Sequence, residues 1–143
     1  MFIFFNKIKN LSDPKQTIYV FHAPPIKTNL DFVRGKRHAG SAAIRKFFES
    51  TDALLGLHGH IHETVDLSGS HKDKVGNTLV AAPGNDPFHT ITNHYTNYRD
   101  YVDAIVVEIK KDNSPKLIRE RYTFSEFSEI NRLKKLVNQP IIT

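Results

Sequence analysis

Runs of apolar residues divide the chain into short predicted strands and helices. Positions 17–21 are five consecutive strong β-formers and predict a buried strand. Positions 41–50 instead place Ile44, Phe47 and Phe48 on one side of a helix, with a serine at its start as the expected N-cap. The pattern thus changes from a period typical of strands to one typical of helices.

Similar patterns extend over the rest of the chain. Further strands are predicted at four places: 53–57, 78–82, 101–109 and 117–122. A turn at 112–115 joins the last two, and the polar segment 86–99 predicts a loop. Helical spacing at 3–11, and a capping box that begins at Thr123 and continues to 137, predict a helix at each end.

This order of elements predicts an α/β chain that forms one domain over residues 1–143, with no linker. In open α/β sheets, ligands bind beyond the carboxyl ends of the strands. His22 follows the first predicted strand directly, and Gly59-His60-Ile61-His62 follows the run at 53–57. We therefore expect these histidines to lie at one edge of the sheet.

Composition narrows the class of protein only a little. Apolar residues make up 39% and charged residues 24%, which is ordinary for a globular protein, and no apolar run approaches the length of a membrane span. Without cysteine there is neither a disulfide framework nor a thiolate zinc site, so we expect a cytoplasmic protein. The net charge of +5 favours phosphate-bearing partners, but no nucleic-acid-binding module accompanies it.

The histidine motifs are the residues most suited to chemistry. Two imidazoles two residues apart, preceded by Gly59, suit a tight turn that brings both His60 and His62 to a metal ion. The alternative is an ordinary strand end, in which His58, His60 and His62 share one exposed face. His22 gains interest from the two prolines after it, which fix the direction of the chain.

Two separated motifs together resemble the calcineurin-like metallophosphoesterases. In that family a histidine ahead of Pro-Pro is followed by a helix and then by Gly-His-x-His. Here His22-Ala23-Pro24-Pro25 and Gly59-His60-Ile61-His62 stand about forty residues apart. Two further segments are also similar: Arg37-His38-Ala39-Gly40-Ser41 looks like a substrate-side loop, and Ala82-Pro83-Gly84-Asn85 looks like the family's Asn-Pro-Gly-Ser turn. The resemblance covers roughly residues 4–122.

The resemblance implies a hydrolase of phosphate esters with a two-metal centre. His22 and His60 would bind one divalent transition metal (manganese, iron or zinc), and His62 would bind the other. Glu63 would orient a liganding histidine. His38 would act as an acid or contact phosphate, and Arg37 would attract the substrate.

The chain departs from the family in its acidic motifs. Asp-x-His, Gly-Asp and Gly-Asn-His, which supply the bridging carboxylate and other ligands, are absent from the 143 residues. Three neutral imidazoles cannot offset the charge of two divalent cations, so two metals are expected only in a complete domain. The resemblance therefore implies the C-terminal half of a metallophosphoesterase-type α/β/β/α sandwich, truncated and inactive or weakly active alone.

Two alternatives stay open at this point. One is a non-catalytic interaction module with the phosphoesterase fold, which associates with itself or with a partner that covers the missing half, because a sheet without its first strands exposes an edge. The other is a three-histidine mononuclear zinc site. The sequence identifies neither the substrate nor the metal.

Overall fold

The computed structural model of the chain describes residues 13–35, 37–85, 88–89, 94–95 and 101–123. The strands are β1 (Ile18–Phe21), β2 (Phe32–Val33), β3 (Arg37–His38), β4 (Leu55–His58), β5 (Lys72–Val75), β6 (Thr78–Ala81), β7 (Phe88–His89), β8 (His94–Tyr95), β9 (Tyr101–Ile109) and β10 (Pro115–Thr123). The helices are a 3-10 helix (Pro14–Gln16), α1 (Ala42–Glu49) and α2 (Thr64–Ser68). This mixture of helices and strands is an α/β fold.

The central sheet has four strands in the order β1-β4-β6-β5. Strands β1, β4 and β6 are parallel, and β5 pairs antiparallel with β6. The register places Phe21 opposite His58, and Leu57 opposite Ala81. Because the parallel strands end nearly level, the segments that follow them leave the sheet at one edge.

Helix α1 covers one face of this sheet. Ser41 caps it, since its Oγ accepts a hydrogen bond from Ile44 N at 3.3 Å. Phe47 and Phe48 are buried, and the Phe47 ring packs edge-on against Tyr19 of β1 with the ring centroids 5.0 Å apart. The predicted helix is confirmed, and its aromatic side chains form the larger hydrophobic cluster.

The β9–β10 hairpin contributes the second hydrophobic cluster, which involves the other face of the sheet. Leu117 of β10 packs in a buried cluster with Leu55 of β4 and Ala81 of β6. The described residues thus form three layers, namely helix, sheet and hairpin. On β1, side chains alternate between faces, so Ile18 and Val20 point to the hairpin side. They remain 39% and 76% exposed, which shows that the hairpin does not cover β1.

A buried carboxylate holds the hairpin together. Asp103 of β9 accepts a hydrogen bond from Arg119 Nη2 at 2.8 Å and two from Arg121, each at 2.9 Å. Arg119 also donates to the carbonyl of Pro83, and Asn85 Oδ1 accepts from Asp103 N at 3.2 Å. These contacts attach the hairpin to the turn that follows β6.

Most predicted strands are confirmed with shifted ends, and three parts of the prediction were wrong or incomplete. The segment 86–99 is not a loop throughout, because β7 and β8 pair within it. The run at 53–57 forms a strand that extends to His58. Strands β2, β3 and β5 and helix α2 were missed, since they are short or rich in charge. The predicted terminal helices at 3–11 and beyond Thr123 lie outside the described residues. No helix in the described ranges is long and apolar enough to cross a membrane.

Candidate functional site

The segments after β1 and β4 are joined directly by hydrogen bonds. His22 O accepts from Gly59 N at 3.0 Å, and Ala23 O accepts from the ring nitrogen Nδ1 of His58 at 2.9 Å. These contacts continue the parallel pairing one residue beyond the sheet. They bring the two histidine motifs together as the sequence predicted.

His22 and His60 face each other across this edge. His22 Nε2 lies 3.0 Å from His60 Nδ1, the ring centroids are 4.8 Å apart, and both side chains are exposed. Imidazole nitrogens bind zinc at about 2.0–2.1 Å, so two of them on one ion stand about 2.8–3.4 Å apart for ligand angles between octahedral and tetrahedral. The observed separation therefore fits two ligands of one metal ion. It equally allows one imidazole to donate an N–H to the other.

The backbone of His60 adopts an unusual conformation. Its φ is +71°, in the left-handed region that non-glycine residues seldom occupy. Ile61 next to it is only 5% exposed and fixes the turn in the core, and its N–H donates to Gly59 O at 2.9 Å. The chain thus leaves the strand direction after His58. This excludes the alternative in which three histidines alternate along one exposed strand face.

His62 and Glu63 lie just beyond this turn. His62 is exposed, and within the described ranges no group of three or more histidine or acidic side chains is close enough to hold a metal ion. The structure thus places His22 and His60 together and leaves His62 outside that pair. Glu63 Oε1 accepts a hydrogen bond from Arg34 N at 3.4 Å, so its described partner is the β2–β3 hairpin rather than a histidine.

The turn after β6 packs beside the second histidine motif. Gly84 has φ +71°, and a Cβ placed there would lie 2.8 Å from Val65 Cγ2 and 3.2 Å from His62 O. Only glycine allows both the conformation and this close approach. Asn85 follows with φ +113°. The turn that resembles the family's Asn-Pro-Gly-Ser segment therefore lies directly against His62.

The predicted substrate-side loop forms strand β3 and the turn into α1. Arg37 is exposed. His38 Nδ1 lies 2.7 Å from Oδ1 of Asp31, a carboxylate with no exposed surface. Asp31 was not predicted from the sequence. Its only signal is its place at the end of Thr28-Asn29-Leu30-Asp31, a polar turn after two prolines, where an aspartate commonly accepts backbone N–H groups.

His58 differs from the other motif histidines because it belongs to the core. It is 6% exposed, and its ring stacks on Phe21 and meets Phe48 edge-on. Burial lowers the pKa of His58 to about 4, although hydrogen bonds with the backbone of Ala23 and Phe21 act in the opposite direction. Among the described residues, no group bonds to its buried Nε2. His58 is therefore a neutral core residue at neutral pH.

Comparison of this chain with protein-family models, curated proteins and solved structures gave no match.

Proposed function

We propose that this chain is part of a metal-dependent phosphoesterase in which His22 and His60 supply ligands to one divalent transition metal, and His62 supplies a ligand to a second metal in the complete domain. The resemblance of four segments to calcineurin-like metallophosphoesterases motivates the proposal. Under it, the helix, sheet and hairpin layers are the C-terminal half of an α/β/β/α sandwich. The substrate is a phosphate ester, and manganese, iron or zinc is the metal.

The observation that carries the proposal is the separation of 3.0 Å between His22 Nε2 and His60 Nδ1. These nitrogens come from motifs 38 residues apart in the chain, and each motif follows a parallel strand. The left-handed φ of His60 adds support, since strained backbone conformations cluster at functional sites. An imidazole pair with no functional role would not require a strained residue in an exposed turn.

The lack of negative charge on the three histidines limits their ability to hold a divalent metal without other ligands. Neutral imidazoles leave the charge of a divalent cation uncompensated, so the proposed centre needs carboxylates from outside the described residues. When bound, such a cation would polarise a phosphoryl oxygen. Within this chain, the exposed Arg37 attracts the phosphate, and His38 exchanges a proton with it. We therefore expect weak or absent hydrolysis by the isolated chain, and a second metal only in a complete domain.

Titration calorimetry with zinc and manganese tests the proposal. We expect saturable binding that weakens about tenfold or more in His22→Ala and in His60→Ala, because each variant removes one ligand. His71→Gln is the matched control, since His71 lies at the same edge of the sheet beside β6. Failure of the unmodified chain to bind either metal, or equal binding by His60→Ala, would contradict the proposal.

A loss in His62→Ala as well would favour three ligands, as in the mononuclear zinc alternative. Hydrolysis of p-nitrophenyl phosphate that disappears in His60→Ala would extend the result to catalysis.

A second candidate is a non-catalytic interaction module with the same fold. It is favoured by Val20, which is 76% exposed on β1, beside Ile18 at 39%. Within the described residues β1 pairs with β4 alone, so one of its edges is open to another strand. This candidate predicts self-association or binding of a partner through β1. Light scattering of the unmodified chain and of Val20→Lys measures it, and a monomer at high concentration in both would count against self-association.

A further inference from the structure

Asp31 is a buried carboxylate whose two oxygens together meet four nitrogens. Oδ1 accepts from Thr28 N at 2.9 Å and lies 2.7 Å from His38 Nδ1. Oδ2 accepts from Lys27 N and from Gly40 N, both at 3.0 Å. Three of these partners are backbone N–H groups, which can only donate, so they fix the carboxylate as an acceptor. The proton between the two side chains therefore lies on His38 Nδ1.

The ring of His38 is held in place on a second side. Its centroid lies 4.5 Å from that of Phe32, the residue opposite it in the β2–β3 hairpin. The His38 side chain is nevertheless 37% exposed. No hydrogen bond to its Nε2 occurs within the part of the chain that the structure describes. The ring thus has one nitrogen anchored in the interior and the other available to a ligand.

This hairpin is bonded to both segments that carry the metal-ligand candidates. On the side of His22, Ser41, which follows the hairpin as the N-cap of α1, donates from its N to Pro24 O at 2.8 Å. On the side of His62, Phe32 N donates to Thr64 Oγ1 at 3.2 Å. A hairpin with no role in positioning a residue would not require hydrogen bonds to both segments. His38 therefore belongs to the same edge of the molecule as the two histidine motifs.

We propose that Asp31 and His38 form a proton-transfer dyad, in which His38 contacts the phosphate ester and Asp31 is its positioning residue. This proposal rests on the proposed function and adds Asp31 to it. The competing explanation is a structural one, in which His38 serves only to attach the hairpin to Asp31. The two explanations differ in whether Nε2 meets a phosphoryl oxygen.

The reaction balances with these two residues and water. A bond forms between phosphorus and the oxygen of water, and the bond between phosphorus and the leaving oxygen breaks. Protonated His38 gives its Nε2 proton to the leaving oxygen, the attacking water loses one proton to solvent, and His38 regains a proton from solvent. Asp31 keeps its hydrogen bond to Nδ1–H throughout and stabilises the protonated ring, as carboxylates behind catalytic histidines do.

Long-range 1H–15N spectra of the metal-free chain test the positioning role, because they show which ring nitrogen carries the proton. At a pH of about 9, where an ordinary imidazole is neutral, we expect the His38 proton on Nδ1 in the unmodified chain. In Asp31→Asn we expect part of this population to move to Nε2, since the partner of one nitrogen sets the tautomer. A proton on Nε2 in the unmodified chain would overturn the proposal, as would an unchanged tautomer in a folded Asp31→Asn.

Titration with inorganic phosphate, against sodium chloride at equal ionic strength, tests the contact. At a pH of about 6, where an ordinary imidazole is largely protonated, we expect the His38 signals to shift saturably with phosphate. The apparent affinity should fall about tenfold in Asp31→Asn, because no carboxylate then stabilises the protonated ring that donates from Nε2. Absence of a phosphate-specific shift of His38 would overturn the proposal. Both measurements are made without metal, so a failure of metal-dependent hydrolysis would count against the proposed function alone.

Two further variants separate the dyad from a structural role. His38→Asn keeps a side-chain N–H that can reach Asp31 but has no counterpart of Nε2, so we expect near-normal stability and lost phosphate binding. Retained binding in His38→Asn would overturn the proposal even if Asp31→Asn fails to fold. Asp73→Asn is the matched control, since Asp73 also accepts a backbone N–H, from Asn29 at 2.7 Å. It should leave the His38 tautomer and the phosphate response unchanged.

Discussion

His58 and His60 are two residues apart, yet they occupy opposite environments. His58 ends β4 with 6% exposure among aromatic rings, and its Nδ1 bonds to the carbonyl of Ala23. His60 is exposed, with φ +71°, and its Nδ1 faces His22. The turn that follows His58, with its left-handed φ at His60, separates them. The same side chain thus stabilises the core at one position, and at the other it occupies a strained turn that suits a ligand.

The largest difference between the two positions should appear on acidification. Because burial lowers the pKa of His58 to about 4, the folded chain stays unprotonated there while the unfolded chain takes up a proton below pH 6.5. Stability is therefore complete above pH 6.5 and falls as the pH drops from 6.5 towards 4, by about 3 kcal/mol in all. Urea unfolding at pH 7 and pH 4.5, with a chelator present, measures the loss.

The control compares the same glutamine substitution at both histidines. His58→Gln should remove most of this pH dependence, and His60→Gln should keep it. Burial also lowers the pKa of His71, and the charges of Lys72 and Arg119 lower it further. His71 therefore adds to the loss of stability on acidification. If His58→Gln loses as much stability on acidification as the unmodified chain, His58 is not the responsible group.

An asparagine at each position gives a direct comparison at pH 7. Asparagine keeps a side-chain N–H near the place of Nδ1 but is smaller than histidine. His58→Asn should lose about 2 kcal/mol of unfolding free energy, because it opens a cavity beside Phe21 and Phe48 and buries an additional amide. His60→Asn should change stability little, since asparagine tolerates a left-handed φ. Thermal unfolding of the two variants side by side measures the difference. Equal losses of stability in the two variants would contradict the proposed difference between the two positions.

The smallest expected effect is a gain in stability. His60→Gly removes the strain of a Cβ in a left-handed conformation, so we expect about 1 kcal/mol of added stability in the absence of metal. The same variant should bind zinc more weakly than the unmodified chain. A loss of stability in His60→Gly would show that the imidazole stabilises this turn by itself, and the case for a strained binding residue would weaken.

The sequence predicted the parts of this site that depend on local pattern. Apolar runs located β1, β4 and β6, and the rule that parallel strands end at one edge predicted that His22 and His60 meet. The sequence did not predict that His58 is a buried core residue, because the apolar run ends at Leu57 and gave no reason to extend the strand by one residue. Asp31 was also missed, since its four partners come from separate positions that only the folded chain brings together.

The open side of β1 restricts how the proposed metal centre could be completed. If two copies joined antiparallel through this strand about a twofold axis, their sheets would merge into one of eight strands. The carboxyl ends of the two copies of β1 would then point in opposite directions. With about 3.3 Å per residue, one His22 would stand roughly a strand length away from the other. Symmetric pairing could bury Val20, but it would keep the two imidazole pairs apart, so it would not unite them in one metal centre.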